Sequence, residues 1–454
     1  MSEKINYMVQ NQNVRGHKPI LIVILLVYSF QMFSQVDCRT ILGSNLRSIA
    51  KSPFSWGLEL SGSIGAMSDR EIANGQIYTG LNFTKSHHQF YFEGAYKNWY
   101  NSAKNPDGEE PGTSYTEFNR PKASNLGFRE LFYQNKNNSD HIKLGVQTYK
   151  TPDNFLLNER ILGFSGNKTL GIFNATGALG TVTNKISRFG DVCGNRHIYN
   201  ILHRSQFNFT GDKPGETNFG TIFIIWKKGA ETKKSKSEVK SNDEFSEFGQ
   251  FDEFSNPSDE NIKEKKPIVS ADKAGIFFYE EFGSGFHEYK YYSGVYAEFE
   301  LPMQSVLELQ LIDQYILNDH SVTYRIKLEK EKFWKKGSNT KMAISYLSKI
   351  NIDKEAHFYP AFSNMFLGEV MRMDAIDLPL IYATVKHSFK SKYKIYTQLN
   401  AVTQLSANKS KEIDLQTGIK ISNHFLLTTI FSYMNSVLLE KEQWMARLEA
   451  RYAF

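Results

Sequence analysis

Cysteine is nearly absent from this 454-residue chain, which has only Cys38 and Cys193. Two cysteines exclude a disulfide-stapled scaffold, and no Cys/His spacing of metal type accompanies them. One bridge or two unpaired thiols both remain open. Long apolar runs are also scarce: mean hydropathy is −0.44, and a bundle of membrane helices would need about 20 mostly apolar residues per span. Catalytic signatures are missing as well. The chain contains no G-x-S-x-G, H-E-x-x-H, phosphate-binding or EF-hand pattern. His87-His88 reads as a solvated turn. His203 and Ser205 share a face by spacing, but that face is the apolar one. No enzyme and no cofactor are implied. Full disorder is excluded by what is abundant, since aromatic residues make up 14% of the chain.

The one apolar run, 19–33 (PILIVILLVYSFQMF), follows Arg15 and Lys18 and precedes Ser34-Gln35-Val36. A basic start, a short apolar stretch and small or polar residues after it read as a signal peptide over 1–35. A single anchor helix is the alternative. A periplasmic N-terminal segment is expected over 36–55, and the folded part over 56–454.

From Trp56 onward, the dominant pattern has period two, which predicts strands with two unlike faces. Val322, Tyr324, Ile326 and Leu328 alternate with Thr323, Arg325, Lys327 and Glu329. At the C-terminus Trp444, Ala446, Leu448, Ala450, Tyr452 and Phe454 alternate with Met445, Arg447, Glu449, Arg451 and Ala453. Such dyads fit a soluble sandwich or a membrane barrel. Segments of about 10–13 residues suit tilted strands that cross a bilayer. Aromatics mark many strand ends, as an interfacial girdle requires: Trp56, Trp99, Tyr100, Tyr149, Tyr315, Tyr433, Trp444 and Tyr452. The expectation is all-β, a transmembrane antiparallel barrel of about eighteen strands. They are placed near 56–66, 76–85, 89–99, 125–135, 141–149, 171–183, 197–209, 217–228, 273–283, 287–300, 303–315, 320–331, 340–349, 379–389, 393–404, 412–422, 424–435 and 443–454. Longer links at 100–124, 150–170 and 350–378 fall outside the cell; the latter two are candidate constrictions, the first with Asp153, Glu159 and Arg160.

The polar partner of each dyad should face the lumen. Its cations are Lys143, Arg204, Lys290, Arg325, Lys327, Lys394, Lys420, Arg447 and Arg451. Its acids are Glu59, Glu298, Glu308, Glu329, Asp414 and Glu449. Rows of fixed cations on a pore wall favour anions, whereas cross-strand pairing would make the same residues structural. The long link 229–272 shifts sharply in composition and reads as a low-complexity periplasmic loop. Its centre, 243–260, carries seven acids and no base, among them Asp252 and Glu253, around Phe245, Phe248, Phe251 and Phe254. An acidic segment beneath a cationic pore is a candidate gate; a solvated linker is the alternative.

Phe454 on an alternating last strand, with Tyr452 and Leu448 on the same face, resembles the C-terminal strand that the barrel-insertion machinery of outer membranes recognises. Eighteen strands, a basic lumen and a long periplasmic link after the eighth strand together resemble the alginate export porins of Gram-negative outer membranes. Gly127-Phe128-Arg129-Glu130-Leu131-Phe132-Tyr133, followed by Ile142-Lys143-Leu144-Gly145-Val146-Gln147, is similar to that family's paired strands, except that Val146 stands where Arg is usual. The resemblance implies an outer-membrane channel in contact with lipid, passing anionic or polar solutes, possible cargo including an anionic polysaccharide. Nucleic acid is not an expected partner. A general or sugar-selective porin, a non-conducting surface or adhesin-type protein, and a lipid hydrolase are the competing readings.

Overall fold

A computed structural model describes Leu42, Leu46, Pro53, eighteen long strands with many of their links, and five short strands in two of the longer links. The long strands are β1 (Phe54–Met67), β2 (Arg70–Lys85), β3 (His88–Asn101), β4 (Lys122–Asn137), β5 (Asp140–Lys150) and β6 (Asn158–Leu170). Next come β7 (Phe173–Val182), β8 (Thr217–Lys227), β9 (Ser270–Phe282), β10 (Lys290–Leu301), β11 (Ser305–Ile316) and β12 (Asp319–Phe333). The last six are β13 (Asn339–Lys349), β14 (Leu380–Phe389), β15 (Lys394–Gln404), β16 (Lys411–Lys420), β17 (Phe425–Asn435) and β18 (Gln443–Ala453).

Each strand pairs antiparallel with its neighbours in sequence, and β1 pairs with β18 from Glu59↔Ala453 to Met67↔Met445. That last ladder closes the sheet into a barrel, which leaves no strand edge unpaired. The Phe454 amide extends the seam by donating to the Leu58 carbonyl at 2.7 Å. At one end most links are short, such as the turn 171–172, where Gly171 takes a φ of +63° that an L side chain rarely adopts. The exception at this turn end is 228–269. Links at the other, loop end include 102–121, 183–216 and 350–379.

The alternation resolves as a barrel in lipid requires. On β12, Ile326 and Leu328 point outward and are exposed, while Thr323 and Arg325 point inward and are buried. On β18, Trp444, Leu448 and Tyr452 are outward, and Met445, Arg447 and Glu449 inward. Trp56 and Phe54 extend the outward aromatics at the turn end. Tyr149, expected in the girdle, instead points inward and is buried, because it shares parity with the inward Gln147.

Two strand expectations are corrected. The link expected at 150–170 contains β6, and no barrel strand is described over 197–209. There, Leu202–Arg204 forms a short strand parallel to Met371–Met373, joining two loops. The two errors cancel in the total of eighteen, although 171–183 runs opposite to the expected direction. The expected link 229–272 also overlaps β9 by three residues. Cys38, Cys193, the 1–35 leader and the gate candidates Phe245, Phe248, Phe251, Asp252, Glu253 and Phe254 lie outside the described residues.

Candidate functional site: a charged and aromatic lumen

The inner wall carries two charged groups of residues. The first spans the closing seam. Arg451 Nε lies 2.5 Å from Glu449 Oε1, and Arg451 Nη1 is 4.0 Å from Glu59 Oε1. Arg447 Nη2 is 3.7 Å from Glu449 Oε2. Three strands away, a bulge between β3 and β4 skips Arg129 in the register, since Glu93 pairs with Glu130 and Gly94 with Phe128. The extra residue brings the Arg129 guanidinium beside Glu93, at 3.5 Å, and over the Tyr78 ring. A bulge breaks the two-residue period locally, so alternation alone missed Arg129.

The second group lies on β11–β13. Lys327 Nζ contacts Glu308 at 2.6 Å and Glu329 at 3.0 Å. Lys341 contacts Glu329 at 2.6 Å, and Arg325 approaches Glu308 at 3.6 Å. Nearby, Lys273 contacts Glu298 at 2.8 Å, and buried Lys290 lies 3.7 Å from Glu281. Lys143 places its ammonium 4.3 Å from the Phe132 ring centre. Lys394 and Lys420 face one another in register near the turn end. Arg204 is the exception among the nine expected cations: it lies in the short loop strand, not on the barrel wall. At least five of the other eight lie within 4.0 Å of an acid, and for Lys290, Arg325, Lys327 and Arg451 that acid is on a neighbouring strand. The lumen is therefore charged and polar with much of its charge paired, which is the structural alternative for those residues.

Between these groups the wall is aromatic. Phe219, Phe223, Phe277, Tyr279 and Tyr292 face inward and are buried, with Phe223 stacked on Phe277 at 5.2 Å. They join Phe155, Leu156 and Leu157 in one apolar cluster. Those three residues belong to the link after β5, which folds into the barrel. Thr151 and Leu157 close it: the Thr151 amide donates to the Leu157 carbonyl at 2.9 Å, and the Leu157 amide to Thr151 Oγ1 at 3.0 Å. Inside the loop, Asp153 Oδ1 accepts from the Phe155 and Leu156 amides at 3.3 and 3.4 Å. Its Oδ2 accepts from Gln310 Nε2 of β11 at 2.7 Å. Gln310 is held in turn by Arg325 Nη1 at 3.3 Å, and the Arg325 guanidinium lies 4.6 Å from the Phe155 ring centre. β5 and β11 are six strands apart in the barrel, so the loop crosses part of the lumen. Gln310 and Arg325 are mid-strand, which sets this crossing near half height.

An apolar outer face, a charged inner face and a loop crossing between them leave one environment for this chain. It is a transmembrane β-barrel of the outer-membrane type. The barrel resembles solved porin structures. OccK5 (OpdH) of Pseudomonas aeruginosa is 9% identical, with a TM-score of 0.47 over 88% of this chain and 98% of that one. OccAB4 of Acinetobacter baumannii is 9% identical, with a TM-score of 0.48 over 89% and 99%. A BenF-like porin from Pseudomonas fluorescens Pf-5 is 9% identical, with a TM-score of 0.47 over 88% and 98%. No protein-family model matches the sequence, and no curated protein sequence matches it. Likeness this distant speaks to fold alone, and function has to be argued from the site.

Of the expected constrictions, the segment 151–157 enters the lumen. Glu159 and Arg160 instead lie in β6, paired with Tyr149 and Thr148. In the other, 350–378, only Ile350, three short strands, Ile376–Asp377 and buried Leu378 are described. Asp153, Phe155 and Gln310 were not foreseen as a unit, since nothing in sequence links residues 157 positions apart. His88 Nδ1 is 2.6 Å from the Tyr133 hydroxyl, and His387 Nδ1 is 2.7 Å from Thr340 Oγ1.

Proposed function

We propose that the barrel is a passive outer-membrane channel for small anionic or polar solutes, with its turn end in the periplasm. The observation that carries this reading is the loop 151–157, anchored through Asp153–Gln310 on the charged wall of β11–β12. A protein using its barrel only as a platform for surface loops has no need to fold one into the lumen and hold it there. A solute partitions into the polar interior, passes the space beside Phe155, and exchanges water for wall groups along the way. No covalent chemistry is part of this reading.

The solute preference follows from charge. The chain carries +6 overall, while link 229–272 alone is −4. The excess of base is therefore concentrated in the rest of the molecule and favours anions at the mouths. Cross-strand pairing inside keeps that preference modest. Export of an anionic polysaccharide is the narrower reading that the alginate-type resemblance suggests. A loop across the lumen at half height favours small solutes over a polymer. Residue roles in the pore, the insertion machinery as partner of Phe454, and a gating role for 243–260 belong to the same proposal.

The test is planar-bilayer recording of the refolded full-length protein in a salt gradient. Discrete channels with a reversal potential on the anion side are the expected result. A cation-side potential would overturn the solute class, and flux of neutral sugars without ion preference would favour a sugar porin. Absence of channels would favour the platform reading.

A further inference from the structure

Ahead of β1, Leu42 and Leu46 are both helical, and both are almost completely buried. They are four apart, which places their side chains on one face of a helical turn. That face meets the inside of the barrel near the turn end. Gly57 of β1 and Gly80 of β2 are direct register partners. A Cβ at Gly57 would lie 2.5 Å from Leu42 Cδ1, and one at Gly80 would lie 2.6 Å from Leu46 Cδ1. Two facing glycines thus form a depression that the two leucines fill. Around it stand Tyr78, Tyr91, Ala95 and Phe132, a separate apolar cluster with the leucines at its centre.

The backbone of the turn is also held. The Leu42 amide donates to Glu59 Oε2 at 2.8 Å. The Leu46 carbonyl accepts from Asn82 Nδ2 at 3.0 Å and from Ser55 Oγ at 3.4 Å. A helical turn has unpaired amides and carbonyls at its ends, and the barrel wall supplies partners of both kinds. Inward residues at this height would otherwise be polar to suit a wet lumen. Here the wall has lost two side chains and gained aromatics, so it is shaped for an apolar occupant.

We propose that the inner wall at Gly57 and Gly80 is a built seat for a helical turn bearing leucines four residues apart. Its occupants are this chain's own Leu42 and Leu46, which narrow the periplasmic mouth. The narrowing rests on the channel reading above; the seat itself does not. A segment tethered so close to β1 is at high effective concentration, so it holds the seat without needing a tight intrinsic affinity. Vacating it would widen the path on the β1–β4 side of the lumen, away from the loop that carries Asp153.

Two readouts separate the claims. The first is limited trypsin digestion of the refolded full-length protein, following cleavage after Arg47, the residue beside Leu46, by mass spectrometry. In the Leu42→Asp/Leu46→Asp double variant, cleavage should be about tenfold faster or more, the effect of losing two buried leucines. Gly80→Leu leaves the segment unchanged but fills its seat, and should give the same acceleration. Because the double variant alters no barrel strand, it keeps the test valid if Gly80→Leu folds poorly. Equal cleavage in the double variant and the unmodified protein overturns the seat. The second readout is single-channel conductance, expected to rise in the double variant. Faster cleavage with unchanged conductance overturns the narrowing. Faster cleavage in a protein that forms no channels in any variant supports the seat and overturns the channel reading.

Discussion

Replacing Asp153 with alanine should unlatch the loop that crosses the lumen while leaving the barrel intact. The carboxylate accepts from Gln310 at 2.7 Å and from the Phe155 and Leu156 amides at 3.3 and 3.4 Å, all in a buried setting. Losing it removes the anchor and leaves three buried donors without their acceptor. Hydrogen bonds to a charged group contribute about 1.5–3 kcal/mol each, but they share one carboxylate and are not additive. A loss of about 3 kcal/mol is therefore a reasonable magnitude for the whole. What remains is the burial of Phe155, Leu156 and Leu157 and the contact of Arg325 with the Phe155 ring. Opposing them is the ordering of seven backbone positions, at about 1–2 kcal/mol each. With the balance this close, about 3 kcal/mol multiplies the undocked fraction by about 150-fold. In single-channel records, Asp153→Ala should show a larger conductance or frequent transitions to one. Gln310→Ala should do the same, and the double variant should add little beyond either, because the two residues form one contact. The 18-strand ladder should survive, seen as unchanged far-ultraviolet circular dichroism. A conductance and a noise spectrum indistinguishable from the unmodified protein would refute the loop's role as the constriction.

Three further outcomes follow from the same geometry. Glu308→Gln removes the acid shared by Lys327 and Arg325; one charge about 10 Å from a permeating ion in water is worth about 0.4 kcal/mol, so anion preference should rise about twofold, read as a shift in reversal potential. Deleting Phe454 removes one backbone bond to Leu58 and the ring contact with Tyr452. It should cost about 1 kcal/mol in refolded protein yet sharply lower the amount inserted in cells; equal membrane levels would remove the insertion-signal reading. Deleting 240–260 should raise conductance or polyanion flux if this acidic, phenylalanine-bearing stretch acts as a gate, and unchanged records would leave it a linker.

The outer face of this barrel was legible because lipid enforces it. Every second residue on a crossing strand meets hydrocarbon, so Ile326, Leu328, Leu448 and Tyr452 announce themselves regardless of what lies inside. The lumen obeys no such rule. Its inward positions are charged on β12 and β18 but aromatic on β8 and β9, where Phe219, Phe223, Phe277 and Tyr279 stand. An aromatic inside erases the contrast with an apolar outside. Many of the charged residues themselves were found, but Arg204 was misplaced, Glu93, Lys273, Glu281, Lys341 and the bulge residue Arg129 were missed, and the particular pairing was not foreseen. Whether Lys327 faces solute or Glu308 depends on the register between β11 and β12, which no single strand encodes.

The strand missed at Asn158–Leu170 shows the same principle from the other side. Its sequence, NERILGFSGNKTL, has Leu162, Phe164 and Leu170 outward but Gly166 and Lys168 between them. The small and charged positions interrupt the apolar face, so the segment reads as a link. Lys168 is tolerated there because it lies three residues before the Gly171 turn, where its ammonium reaches Asp140 of β5 at 2.6 Å. A charge on the lipid face is costly at mid-bilayer but nearly free at the interface. Depth, as well as face, therefore decides which residues a strand accepts. A period-two reading that ignores depth will drop strands whose charged residues sit near a turn, and Lys168 moved to position 164 should be far less tolerated. The measurement is the fraction refolded into lipid vesicles for Phe164→Lys against the unmodified protein. A drop is expected, with a cost of about 2–4 kcal/mol for a lysine at the midplane falling towards 0–1 at the interface. Equal refolding of the two proteins would mean that this face of β6 does not meet lipid.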